Sequence, residues 1–98
     1  MTPTSEQLNA AKRLWSIANG LAGQGKTVAR FLLGLYNGRR YPFDLTDFRL
    51  LDFRILKECL LVLEMDSNPE HEIHDLLGIP GPKFEEIAQD WNIKQAIN

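Results

Sequence analysis

Apolar residues recur along this chain at three- and four-residue intervals, the spacing of one face of an α-helix. The first set is Leu8, Ala11, Leu14, Trp15 and Ala18. Thr4 or Ser5 precedes it as N-cap, and Gln7, three residues after Thr4, matches a capping box. Asn19-Gly20 supplies a stop, because glycine readily takes the left-handed conformation that ends helices. The pattern predicts a helix over about residues 5–19. After a flexible connector, 20–25, a second helix is predicted from about Thr27 to Tyr36, with Val28, Phe31, Leu32 and Leu35 inward. Asn37-Gly38 is expected to close it in the same way.

Pro42 disfavours helical backbone at Tyr41, so residues 38–43 are expected to be extended. Asp44 or Thr46 then caps a helical segment reaching Leu51, and Asp52 caps again before a longer helix at about 53–66. Phe53, Leu56, Leu60 and Leu63 share one face of that helix, with Cys59 beside them. The run from Ile55 to Met65 is apolar on several sides, which predicts a central helix. Ser67-Asn68-Pro69-Glu70 reads as a further start, with proline at the first helical position and acids near the positive end of the dipole. Ile73, Leu76 and Leu77 come next, and Gly78 ends the helix. Past a loop at 79–82, Phe84, Ile87, Ala88 and Trp91 place a last helix at about 82–92. There is no pair of alternating strands and no internal repeat. The expected fold is all-α, a compact single domain of five or six short helices covering residues 1–98. Its expected core includes Phe31, Leu32, Leu35, Phe48, Leu51, Leu56, Leu60 and Leu63, so that Leu60→Ala would cost about 2–5 kcal/mol.

Length supports one domain: 98 residues leave no room for a second. A chain this small buries only roughly 60–65% of its unfolded surface, which commits its large apolar residues to the core. The run Leu60–Leu63 is one helical turn, far short of the ~20 apolar residues that span a bilayer, so no membrane partner is expected. The polar start, Met1 to Gln7, does not read as a signal peptide. Cys59 is the single cysteine and cannot form an internal disulfide, which fits a reducing compartment and a cytoplasmic location. In its apolar surroundings it is expected to act as a small buried hydrophobe.

The net charge of −2 hides a split. Residues 1–57 carry nine Lys/Arg and four Asp/Glu, a net of +5, whereas residues 58–98 carry two and nine, a net of −7. The preferred reading is that the halves fold against each other and their charges partly complement. The sharper readings are a nucleic-acid face on one side or an acidic surface for a basic partner on the other. Lys26, Arg30, Arg39, Arg40, Arg49 and Arg54, with Tyr41 and Phe43 interleaved, form the basic set that could contact phosphates. Asp44, Asp47 and Asp52 lie within the same stretch and dilute it.

Two motifs look like chemistry. Residues 20–27, GLAGQGKT, match the phosphate-binding loop G-x-x-x-x-G-K-[ST], in which backbone N–H groups and a lysine hold phosphates and a hydroxyl holds magnesium. That loop must follow a buried β-strand, yet the preceding residues have helical periodicity, so the match reads as a helix end and connector. His71 and His74 are three apart and could share a metal with Glu70 or Asp75. No further Cys or His completes a tetrahedral set, so both are read as solvated residues on an amphipathic helix and no metal or cofactor is expected. No nucleophile–base pair is evident, which points away from an enzyme.

Ala29-Arg30-Phe31-Leu32-Leu33, then Tyr36-Asn37, then Phe43-Asp44-Leu45-Thr46-Asp47 resemble an uncharacterised family of short bacterial proteins encoded mainly on plasmids, integrating elements and prophages. The likeness runs from about Leu14 to Trp91. It carries over no catalytic or ligand residue, and implies an accessory protein of a mobile genetic element. The expected function is therefore protein–protein binding to a host or element-encoded protein, such as a nuclease complex of host defence that an acidic surface would inhibit. Glu58, Glu64, Asp66, Glu70, Glu72, Asp75, Glu85, Glu86 and Asp90 are the candidate acidic surface. The alternative is a small DNA- or RNA-binding protein using the basic stretch 26–54. Either a monomer or a homodimer fits.

Overall fold

Thr4 opens the first helix as a capping box should: its Oγ1 accepts the Gln7 N–H at 3.0 Å, and Gln7 Oε1 accepts the Thr4 N–H at 3.0 Å. The helix so started, α1, spans Ser5–Ala18. The computed structural model describes residues 2–20 and 23–96. Leu21 and Ala22, within the expected connector, lie outside the described residues. Next come α2 at Gly25–Asn37, a 3₁₀ helix at Leu45–Leu50, α3 at Phe53–Asp66, α4 at Ile73–Leu77 and α5 at Gly81–Asp90. Among the described residues there is no β-strand, and the fold is all-α.

α1 is the packing axis. Its buried residues, Gln7, Ala10, Ala11, Leu14 and Ala18, are mostly small, and this lets both α2 and α3 pack closely against it. α5 packs on α2 and reaches α1 through Phe84. Leu14, Val28, Leu32, Leu33, Val62, Ile73 and Phe84 are fully buried between these layers. Phe84 is the hub: its ring stacks on Tyr36 at 4.9 Å, meets Trp15 at 4.7 Å, and has His74 edge-on at 6.3 Å. Trp91 closes the end of α1, its indole N–H donating to the Ala18 carbonyl at 2.7 Å. That ring sits on Gly25, where an added Cβ would lie 2.7 Å from Trp91 Cζ2 and 2.8 Å from the Ile17 carbonyl oxygen.

Several expectations are corrected by local geometry. Gly38 ends α2 at φ −67°, so it is not left-handed. It is small because a Cβ there would come 3.0 Å from the Gly34 carbonyl. Gly20 is not left-handed either, whereas Gly78 is, at φ 68°. Residues 38–40 turn rather than extend, closed by the Tyr41 N–H donating to the Asn37 carbonyl at 2.9 Å. Asp44 caps the next segment through Thr46, but that segment is 3₁₀ rather than α. The fourth helix begins at Ile73, because Ser67 to Glu72 form turns and bends after α3.

The largest correction concerns α3. Its bounds agree with the pattern and Asp52 caps it, Oδ1 accepting the Ile55 N–H at 2.9 Å. Its inward face, however, is Cys59, Val62 and Met65. Phe53, Leu60 and Leu63, expected inward, are 71%, 50% and 40% exposed. Of the expected core, Phe31, Leu32 and Leu51 are buried, while Leu35, Phe48 and Leu56 are half-buried. Leu60→Ala is therefore expected to cost less than about 1 kcal/mol in urea unfolding, since no cavity forms, whereas Val62→Ala should cost clearly more.

Candidate functional site

Asp52 fixes where α3 starts, and packing against α1 fixes which residues that helix turns outward. With Cys59, Val62 and Met65 fixed against α1, the 100° step per residue starts Phe53, Lys57, Leu60 and Glu64 from the opposite side, and of these the Glu64 side chain reaches back to Gln7 of α1. Beside them the 3₁₀ helix adds Leu45 and Leu50, 73% and 61% exposed. Leu45 and Leu63 edge an apolar groove of about 170 Å³ whose floor is Phe31, Leu35, Phe43 and Phe48, with Gly34 and Gly38. The three phenylalanines hold each other, with ring centroids 4.9–5.8 Å apart, and so fix the 3₁₀ helix on α2. Gly34 allows this approach: a Cβ would stand 3.3 Å from Phe43 Cβ. This outward apolar surface was absent from the sequence-based site residues. Its signal was there, since α3 is apolar on more sides than one helix can bury.

The charged candidates separate. Arg40 and Glu85, drawn from the opposed basic and acidic sets, pair with each other. Arg40 Nη1 and Nη2 donate to Glu85 Oε2 and Oε1 at 2.8 and 2.6 Å, and the Tyr41 hydroxyl adds a bond to Oε1 at 2.9 Å. Arg13 and Glu58 form a second bridge between the halves, at 2.6 Å. The two halves thus complement each other in part, as the split charge suggested. Arg30 lies 3.8 Å from Asp47, and both line a cleft of about 500 Å³ that also holds Asp44 and Lys94. Opposite charges on its walls give that cleft no single preference of sign. Lys26 is half-buried, and Arg39, Arg49 and Arg54 are exposed. In the acidic half, Glu64, Glu70, Glu72, Asp75, Glu86 and Asp90 are exposed. Glu64 accepts a hydrogen bond from Gln7 at 3.0 Å, and Glu86 pairs with Lys83 at 3.2 Å.

Two carboxyls are tuned in opposite directions. The Arg40 guanidinium and the Tyr41 hydroxyl hold Glu85 down at about 2. Burial, with Glu72 nearby, pushes Asp66 up to about 6. Glu85 therefore stabilises the fold fully above its ordinary 4.5 and loses that contribution as pH falls toward 2. Asp66 does the reverse: its contribution is complete below 3.8 and is lost as pH rises through about 6. Thermal melting across pH should show both limbs. Glu85→Gln is expected to flatten the acid limb, and Asp66→Asn to raise the melting temperature at pH 7 and remove the other.

The motif candidates resolve into packing. α1, a helix, precedes the GLAGQGKT stretch, and α2 begins at Gly25, so Thr27 is buried in its first turn. Gly25 admits the Trp91 ring. His71 lies before α4 rather than on it, and His74 is half-buried against Tyr36 and Phe84 rather than solvated. The pair does not share a helix face, and among the described residues no group of three His, Cys, Asp or Glu is placed to hold a metal. Cys59 is fully buried, as expected, and burial raises its thiol to about 12. Among the described residues no helix is long and apolar enough to cross a membrane.

Fold and surface together define a small all-helical protein with an outward apolar face on one helix. The chain belongs to a family of unknown function, DUF7673, whose model matches residues 8–92. That match takes in all of the helices but the first three residues of α1. No curated protein and no solved structure matches the chain.

Proposed function

We propose that this chain is a small protein-binding accessory factor whose contact surface is the outward face of α3 together with the 3₁₀ helix. The observation that carries the reading is the exposure of Leu45, Leu50, Phe53, Leu60 and Leu63, of which Leu45 and Leu63 edge an apolar groove. Side chains of this size turned to water lose the hydrophobic stabilisation that burial gives, about 1.5–3 kcal/mol each, and contact with a partner recovers it. The acidic residues of the C-terminal half, Glu70, Glu72, Asp75 and Asp90 above all, favour a partner with a basic surface and speed its encounter. A host or element-encoded complex that handles nucleic acid has such a surface, and occupying it would inhibit the complex. The setting on a mobile element rests on the resemblance at residues 29–47 alone. Nucleic-acid binding by Lys26, Arg30, Arg39, Arg40, Arg49 and Arg54 is the weaker reading, because Glu85 and Asp47 engage Arg40 and Arg30.

Parallel retention experiments test this. The wild-type chain should hold a bacterial protein that Leu60→Glu does not, with both chains equally helical by circular dichroism. DNA or RNA should not be shifted at ~50 mM salt, where phosphate contacts are strong. A shift abolished by replacing Arg39 and Arg40 together would overturn the reading in favour of nucleic acid.

A further inference from the structure

Asn92 takes a left-handed φ of 56° after α5, and the Ile93 N–H donates to the Ala88 carbonyl at 2.7 Å. The chain leaving α5 therefore turns back toward the end of α2. There Arg40 ties it down twice. Its carbonyl accepts the Ala96 N–H at 2.8 Å, and its Nε donates to Gln95 Oε1 at 2.9 Å. Residues 92–96 so become one wall of the cleft of about 500 Å³, which also takes in Arg30 of α2, Pro42, and Asp44 and Asp47. That volume lies within the about 300–1,000 Å³ of small-molecule sites. The cleft shares no residue with α3.

Arg30 and Asp47 attract each other across 3.8 Å, too far for a hydrogen bond. Among the described residues neither side chain makes a hydrogen bond, so the guanidinium donors and the carboxylate acceptors stay open. Lys94 forms no salt bridge among these residues, and Asp44 spends only Oδ1, on the Thr46 N–H and hydroxyl at 2.9 and 2.7 Å. A ligand of one sign fits this arrangement badly. An anion on Arg30 meets the Asp47 carboxylate, and a cation on Asp47 meets the guanidinium. A molecule with an ammonium and a carboxylate on the same carbon satisfies both. Its carboxylate matches the planar fork of Arg30, and Lys94 adds attraction from the tail. Pro42 and Ile93 give the cleft apolar lining for a side chain.

We propose that this cleft binds a free α-amino acid with an apolar side chain, Arg30 holding the carboxylate and Asp47 the ammonium. NMR titration of the isotope-labelled full chain with leucine at neutral pH tests it. Saturable shifts should gather at Arg30, Asp47 and residues 92–96. N-acetyl-leucine, which lacks the ammonium, and leucinamide, which lacks the carboxylate, should each bind about tenfold more weakly, the loss of one charge-assisted contact. Asp47→Asn should bring leucine down to the level of N-acetyl-leucine, and Arg30→Gln to that of leucinamide. Circular dichroism checks that both variants fold; if one does not, the comparison of leucine with its two derivatives on wild type decides alone. Glycine, with the same charged groups and no side chain, should bind more weakly than leucine, and equal binding overturns the apolar assignment. A leucine titration without saturable shifts, or with shifts away from the cleft, overturns the site. Inorganic phosphate or putrescine binding as tightly as leucine overturns it in favour of a ligand of one sign.

Discussion

Phe84→Ala should cost about 3–5 kcal/mol and leave little cooperative unfolding at 37 °C. Phe84 is fully buried, and three rings close on it: Trp15 from α1, Tyr36 from α2 and His74 from α4. Removing its ring takes the shared contact from three elements at once, and their backbones cannot converge to fill the space because α1 is already packed against α2 and α3. Urea unfolding followed by circular dichroism measures the loss. Phe84→Leu should recover much of it, since most of the volume returns. A loss below about 1 kcal/mol for Phe84→Ala would mean that the helices do not meet at this ring.

Gly25→Ala should be the second-largest effect, costing about 1–3 kcal/mol, although it adds a single methyl at the start of a helix, where alanine is ordinarily favoured. One of the two clashing atoms is the Ile17 carbonyl oxygen, part of the backbone of α1, which cannot yield without moving that helix. The other is the Trp91 ring, held by its bond to the Ala18 carbonyl. The same change in a Trp91→Ala background should cost less, because one obstacle is gone, and a double-mutant cycle would show the coupling. Lys26→Ala should leave stability nearly unchanged, and magnesium–ATP should not shift the melting temperature of either chain. A magnesium-dependent ATP shift lost in Lys26→Ala would return the GLAGQGKT stretch to phosphate chemistry.

Local signals were legible in the sequence, and long-range ones were not. The Thr4–Gln7 capping box and the Asp52 cap each need three residues of context, and they locate the starts of α1 and α3. The inward face of α1 was readable in part: Ala11, Leu14 and Ala18 are buried as the pattern has them, while Leu8 and Trp15 are half-buried and Gln7 and Ala10 join the buried side. α3 defeated the same method because Phe53, Leu60 and Leu63 repeat with the helical period as well as Cys59, Val62 and Met65 do. Periodicity says that a face exists and cannot say which of two meets the core. Ser67-Asn68-Pro69 carries the chemistry of a helix start and also that of a turn, and the chain uses the turn. Arg40 and Glu85 are 45 residues apart, so their pairing was visible only as opposite charge in the two halves.

Cys59 offers a clock for the whole molecule. Its side chain has no exposure, and its thiol, raised to about 12, is almost never ionised at neutral pH, so alkylating reagents have nothing to attack in the closed fold. Labelling can proceed only when α3 lifts from α1. Its rate relative to the unfolded chain then measures the free energy of that opening, without denaturant and in mixtures where the protein is a minor component. Because Cys59 faces away from the Phe53–Leu60 side, an occupant on that outward face would slow labelling by holding α3 down rather than by covering the thiol.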